Sequence, residues 1–214
     1  LEANPGSFES AKFREFRRIG INRLSIGIQS FNDRHLAKLG RVHNAAEALA
    51  AVEIARDAGF DNLNLDLMFG LPEQSQAEML EDIDQAVALN PSHLSFYQLT
   101  LEPNTYFHRF PPQLPEDEAI FIAQQLCQRR LAAQGYRQYE ISAYAREGYL
   151  CRHNRNYWQF GDYLGIGAGA HGKISFPHRV LRQVRWRDPA TYMARAAAGR
   201  AVSNEHEVAR RELP

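Results

Sequence analysis

Three segments of the chain have the composition of β-strands: RLSIGIQSF (Arg23–Phe31), NLNLDLMFGLP (Asn62–Pro72) and HLSFYQLTLEP (His93–Pro103). Each is followed, after a turn, by a stretch with helical spacing. These are AAEALAAVEIARDAGF (Ala45–Phe60), QAEMLEDIDQAVALN (Gln76–Asn90) and PEDEAIFIAQQLCQRRLAAQGY (Pro115–Tyr136), the last with Pro115 as its expected first residue. A further helix, SFESAKFREFRRIG (Ser7–Gly20), is expected ahead of the first strand. Ser7 or Ser10 would cap it, and Phe8, Phe13 and Phe16 would form its apolar stripe. Strand and helix in strict alternation form βαβ units, which force neighbouring strands to run parallel with helices covering them. The fold class expected is therefore α/β, with YRQYEISAYA (Tyr136–Ala145) as a shorter extended segment after the last long helix.

In parallel α/β sheets ligands bind at the carboxyl ends of the strands. Polar residues fall there one strand after another: Glu2 on a strand already under way at Leu1, Gln29, Asp66, then Gln98 and Glu102. The residues alone leave two readings open, a ligand site on the rim or side chains that tie down loops. Composition narrows the partners. The chain has 25 Lys and Arg against 25 Asp and Glu, so net charge offers no attraction to nucleic acid or an acidic membrane. No apolar run reaches membrane-spanning length, and no signal peptide is seen. Only two cysteines, Cys127 and Cys151, are present; this points to a reducing compartment and the cytoplasm. The start without Met and the end in EHEVARRELP, read as a polar helical pattern that stops, are expected to be the edges of a piece of a longer protein.

The segment CRHNRNYWQFGDYLGIGAGAH (Cys151–His171) is dense in chemistry. Cys151 and His153 lack the second ligand pair of a zinc site. GIGAGAHG lacks the spacing of a dinucleotide-binding loop; Gly165, Gly167 and Gly169 are expected to let backbone approach a ligand or another segment. An imidazole with neighbouring aromatic rings suits heme, with His153 as the first axial candidate and His171 as the second. The residues alone equally allow a hydrogen-bonded corner at His153 and Asn154 with Tyr157 and Trp158 as core. RVLRQVRWR (Arg179–Arg187) reads first as one solvated basic face of a hairpin, the alternative being a propionate-binding or partner-docking patch. His35, His43, His93, His108, His178 and His206 stand in no constellation and are left unassigned.

EANPG, GINRLSIGIQSF, KLGRVH and NLDLMFGLP together resemble the rim motifs of radical S-adenosylmethionine (SAM) enzymes of the coproporphyrinogen-dehydrogenase class. Within that class, SFYQLTLEPNT, HNRNYW and GIGAGAHG resemble the HemW heme-chaperone branch. The resemblance implies the C-terminal portion of a partial (β/α)6 barrel over residues 1–135, with an α+β annex carrying HNRNYW over 136–214. It implies a [4Fe-4S] cluster, SAM and heme as cofactors, with the cluster cysteines expected upstream of Leu1 and no metal ligand in this chain. Glu2, Gln29, Arg41 and Asp66 match the SAM-contacting positions; Arg41 suits the SAM carboxylate because its fork pairs with a planar anion. His153, Asn154, Tyr157 and Trp158 match the segment associated with heme binding. Two functions stay open. One is a heme chaperone handing heme to a membrane or cytosolic acceptor protein, with peripheral membrane association allowed. The other is an oxygen-independent coproporphyrinogen III dehydrogenase working by radical decarboxylation.

Overall fold

A computed structural model describes residues 1–7 and 10–209, without the side chains of Ser7 and Ser10. The chain forms two compact units, Leu1–Leu150 and Cys151–Pro214. The boundary expected at 135/136 falls inside the first unit, because the segment after the last long helix returns to the first unit's own sheet.

In the first unit the elements are β1 (Glu2–Ala3), a 3-10 turn (Pro5–Ser7), α1 (Ser10–Arg18), β2 (Arg23–Gln29), α2 (Asp33–Lys38), α3 (Ala45–Asp57), β3 (Asn62–Phe69), α4 (Gln76–Ala88), β4 (His93–Gln98), α5 (Tyr106–Arg109), α6 (Asp117–Ala133), β5 (Arg137–Gln138) and β6 (Ala143–Ala145). The sheet order is β1-β2-β3-β4-β6-β5. The pairings from β1 to β4 are parallel, as the alternation demands, whereas β6 joins β4 antiparallel and pairs with β5 as a hairpin. The expected extended segment is thus two short strands turned back on each other, with Tyr139 N–H donating to the Ala143 carbonyl across the turn at 3.1 Å.

The sheet's two faces differ in kind. On one, Leu24, Ile26 and Ile28 of β2, Leu63, Leu65, Leu67 and Phe69 of β3, and Leu94 and Phe96 of β4 form the core with Phe13, Val52, Ile83, Ile120 and Leu131 of the helices. Full burial of such a side chain stabilises by roughly 1.5–3 kcal/mol, so this face dominates the first unit. The alternate residues, Ser25, Asn64, Asp66, His93, Ser95 and Tyr97, share the opposite face and are polar.

Local signals set the helix ends. Asn44 with Glu47, and Ser75 with Glu78, make reciprocal capping boxes at the starts of α3 and α4. Gly59 closes α3 at a φ of 88°, a left-handed conformation that costs glycine nothing. The expected caps of α1, Ser7 and Ser10, and its first apolar position, Phe8, lie outside the described residues. Pro115 is not the first residue of α6: the helix starts at Asp117, with Glu116 as N-cap. The helices α2 and α5 fall in stretches too short for a periodic signal.

The second unit contains α7 (Arg152–Trp158), β7 (His171–Ser175), β8 (Arg179–Arg185), α8 (Pro189–Ala197) and β9 (Val202–Ala209), with the strands in an antiparallel sheet of order β7-β8-β9. The tail therefore departs from the helical expectation over its described part, since EHEVA lies in β9. Pairing overrides the charged pattern there: Glu205 and Glu207 accept from Gln183 at 2.7 Å and Arg179 at 2.8 Å on the neighbouring strand. The residues after Ala209 lie outside the described part.

Candidate functional site

The polar face of the first sheet carries a connected network. Asn64 donates to Ser25 Oγ at 2.6 Å, Asp66 Oδ1 at 2.7 Å and Ser95 Oγ at 3.0 Å. Ser25 donates to Asp66 Oδ2 at 3.1 Å. His93 meets the Asn64 carbonyl oxygen through Nδ1 and the Tyr139 hydroxyl through Nε2 at 2.7 Å. An amide oxygen only accepts, so Nδ1 carries the proton and Nε2 takes the tyrosine's. Burial, with the nearby Arg23 charge, pushes the His93 pKa down to about 3, so the ring is neutral. Burial raises the Asp66 pKa, opposed by bonds from Ser95, Asn64 and Ser25 and reinforced by the charge of Glu2.

At the strand ends the chain turns sharply. Gln29, the last residue of β2, is buried and has a φ of 71°; a non-glycine residue held there is strained by about 1 kcal/mol or more. Its Oε1 accepts from the Tyr97 hydroxyl at 2.7 Å. Tyr97 has its pKa raised, first by burial and then by the Asp66 charge. A Cβ on Gly27 would stand 2.9 Å from Gln29 Nε2 and 3.2 Å from Asn4 Oδ1, so the missing side chain makes room for both amides. Arg41 Nη1 reaches the same Asn4 Oδ1 at 3.4 Å.

Gln29 and Arg41 thus both approach Asn4, and Asp66, bonded to Ser25 and Asn64, shares the face of Tyr97, whose hydroxyl donates to Gln29. Glu2 sits at a different level. It pairs with Ser25, four residues before Gln29, and contributes an exposed carboxylate to the polar face. The expectation of corresponding heights on successive strands therefore fails for Glu2. Gln98 is also displaced: it has the parity of Leu94 and Phe96 and lies beside Gly70, and Tyr97 takes the polar face instead. Glu102 is exposed beyond the strand and accepts from Thr100 at 2.8 Å.

The loop between Gln29 and Arg41 is clamped by α4. Buried Asp82 accepts from Ser30 Oγ and from Phe31 N–H, both at 2.7 Å. Burial raises its pKa to about 6, although both bonds favour the anion. Glu78 accepts from Asn32 at 3.3 Å and pairs with Arg34, and His43 meets the Ile28 carbonyl at 3.0 Å. Asn4, Tyr97 and Asp82 escaped the sequence reading. The period of two along β4 would have singled out Tyr97; an aspartate on a polar helix gives no such signal.

In the second unit, His153 and Tyr157 stand one helical turn apart on α7, with ring centroids 4.8 Å apart and their planes nearly perpendicular. Tyr157 then meets Tyr163 at 4.7 Å. Asn154 and Trp158 form the next pair round the helix, about 100° away, so the four candidates divide between two adjacent stripes. His153, Tyr157 and Trp158 are exposed, the last at 60%; neither aromatic is core. The hydrogen-bonded corner exists, but Asn156 makes it, donating to the Asp162 carbonyl at 3.1 Å. The glycine run serves backbone packing: a Cβ on Gly165 would lie 2.1 Å from the His171 carbonyl oxygen. His171 opens β7 and is exposed. On β8, Arg179 pairs with Glu207 and Arg185 donates to the Gly165 carbonyl.

Cys127 is buried on α6, its thiol pushed up to about 12 by burial. No group of three or more His, Cys, Asp or Glu side chains is placed to hold a metal ion among the described residues.

Residues 1–86 match the Radical SAM superfamily. The heme chaperone HemW of Escherichia coli strain K12 is 49% identical over 215 residues, covering 100% of this chain and 56% of that protein. HemW of Haemophilus influenzae is 52% identical over 194 residues, covering 90% of this chain and 51% of that protein. The chain therefore spans about half the length of these curated relatives. Among solved structures, the coproporphyrinogen III oxidase HemN of Escherichia coli, described as a radical SAM enzyme, superposes with a TM-score of 0.80 at 22% identity. That likeness covers 97% of this chain and 50% of the other, and shares the fold.

Proposed function

The chain belongs to the radical SAM superfamily, in its HemW branch, and from that premise we propose that it serves a heme chaperone, which binds heme and passes it to an acceptor protein. The observation that carries this reading is identity of about half the residues with HemW along the whole chain, supported by the exposed His153–Tyr157 pair on α7. An exposed imidazole is a ready ligand for heme iron. Tyr157, and Trp158 on the next stripe, supply flat apolar surface for a macrocycle, with Asn154 as a polar neighbour.

The polar face of the first sheet fits SAM by the chemistry of its donors. SAM presents an amino acid head, a ribose diol and a sulfonium. The Glu2 and Asp66 carboxylates suit its positive groups and hydroxyls, the Gln29 amide its polar edges, and Arg41 its carboxylate. The cluster is a different matter. A [4Fe-4S] site takes thiolates, and this sequence has two cysteines, of which Cys127 is buried with its thiol held protonated. The residues present do not fit it. No helix among the described residues is long and apolar enough to cross a membrane; we place the protein in the cytoplasm, delivering heme to a protein acceptor.

The deciding experiment uses the full-length protein with its cluster rebuilt anaerobically. Heme is titrated by absorbance into wild type and His153→Ala, and the same samples are assayed for coproporphyrinogen decarboxylation. Tight binding that weakens in the variant, without decarboxylation, is expected. Turnover of coproporphyrinogen, with heme binding indifferent to His153, would make the protein a dehydrogenase.

A further inference from the structure

The ring ladder His153–Tyr157–Tyr163 does not end at Tyr163. Tyr163 also lines a hollow of about 200 Å³ on the β7-β8-β9 sheet, together with His171, Arg182, Val184, Asn204 and His206. The strand register explains why these side chains meet. His171, Val184 and Asn204 form one cross-strand row, and Lys173, Arg182 and His206 form the next. Residues directly opposite one another share a face, and so do residues two apart on one strand. The hollow is therefore floored by donors from two adjacent rows.

Its charge is unbalanced. Lys173 is buried and satisfied, donating to Asp162 Oδ1 at 2.9 Å and to the Phe160 carbonyl at 2.8 Å. Arg182, its neighbour in the row, is exposed and has no acidic partner among the described residues. Its guanidinium, the Asn204 amide and two imidazoles line a space with no carboxylate on its wall among the described residues. A planar fork beside further donors is what recognises a carboxylate. The hollow is too small for a whole macrocycle, since pockets that take drug-sized ligands run to roughly 300–1,000 Å³. A single side arm fits it.

We propose that this hollow is the carboxylate pocket of the tetrapyrrole site: one carboxylate arm of the ligand sits among Arg182, Asn204 and His206, while the macrocycle lies along Tyr163 and Tyr157. The proposal rests on the reading of His153 as the iron ligand. Two ring-to-ring steps, of 4.8 and 4.7 Å, lead from that imidazole through Tyr157 to Tyr163 at the edge of the hollow. The network of Lys173 keeps the ladder in register with the sheet, because it ties the turn after α7 to β7, and Tyr163 and Lys173 exchange backbone bonds at 3.0 and 2.9 Å.

The test compares heme with its dimethyl ester, in which both carboxylates are blocked, on the full-length protein. The variants are Arg182→Ala, Arg182→Lys and His153→Ala, with circular dichroism to confirm folding. Wild type should bind heme about tenfold more tightly than the ester. Arg182→Ala should remove that preference by weakening heme alone, leave the absorption spectrum of the ligated iron unchanged, and be partly rescued in Arg182→Lys. His153→Ala should alter the spectrum with both ligands. Equal affinity of wild type for heme and ester, or an Arg182→Ala variant that keeps the preference, overturns the carboxylate pocket and leaves the heme reading standing. A spectrum indifferent to His153 overturns the iron ligand, whatever Arg182 does. Failure of the wild type to bind heme overturns both.

Discussion

Gly165 shows how a single position can be fixed by space. Its α-carbon passes over the backbone of His171, and a methyl group there would collide with a carbonyl, not with a side chain able to rotate away. Gly165→Ala must push the loop off β7, which also strains the bond from Arg185 Nε to the Gly165 carbonyl, 3.0 Å long. Overpacking of this kind costs about 1–3 kcal/mol. Thermal unfolding should show the loss, and hydrogen exchange should quicken at the amides of β7. A melting temperature equal to wild type would mean that the loop can yield. The sequence showed that these glycines allow close approach, but not whether the approach is to a ligand or to another strand. The same limit applies to the polar residues of the rim. Gln29 was legible because it ends an apolar strand. Asn4 and Asp82 were not, because an asparagine in a turn and an aspartate on a helix look the same whether or not the fold brings something against them.

Among elements, the segment from Ser30 to Asn44 has the largest consequence for the rim. It carries α2, begins directly after Gln29 and contains Arg41, so its anchors set the spacing of two rim residues. The main anchor is the Asp82 carboxylate on α4, which accepts from Ser30 Oγ and Phe31 N–H. Ser30→Ala removes one of two bonds to a buried carboxylate. Leaving such a group under-satisfied costs about 1–3 kcal/mol. Chemical denaturation should register that loss with an unchanged denaturant dependence, and on the proposal that the rim holds SAM, SAM affinity of the full-length protein should fall with it, as Gln29 loses the anchor of its neighbour. Stability lost without any change in SAM affinity would separate the anchor from the rim. Long periodic elements such as α3, α4 and β3 were legible in the sequence to within a turn. The short α2 and α7 were not, since fewer than two turns of helix carry too few repeats for a period to be read. The strand β9 was misread because its charges suit a helix and only cross-strand partners on β8 make it a strand.

On the scale of the molecule, two buried titratable groups of the first unit pull stability in opposite directions over one pH range. The His93 pKa is lowered from 6.5 to about 3, chiefly by burial. The unfolded chain then binds the proton more readily, and stability contributed by the neutral ring is present above the unfolded value and drains away as pH falls from about 6.5 toward 3. The Asp82 pKa is raised from 3.8 to about 6, again chiefly by burial. Here the folded chain binds the proton more readily, so the contribution is present below the unfolded value and drains away as pH rises from 3.8 toward 6. Each slope is at most about 1.4 kcal/mol per pH unit. Between pH 4 and 6 they oppose each other, and the wild-type profile is flattened. Asp82→Asn keeps an acceptor for one of the two bonds and cannot titrate. Its stability should therefore climb with pH across that window more steeply than the wild type's. His93→Gln should do the reverse and fall, because only the Asp82 slope remains of the pair. Urea midpoints taken at half-unit steps from pH 4 to 7 for the three proteins read this directly. Parallel profiles would mean that neither group changes its protonation between the folded and unfolded chain. The arrangement has a functional side as well. Asp82 holds the loop at the carboxyl end of the sheet, and His93 holds Asn64 beneath it, so the rim is supported by one group that is anionic at neutral pH and another that stays uncharged. A rim that must balance the charges of Glu2, Arg41 and Asp66 keeps its shape through neutral pH only while both supports hold those states.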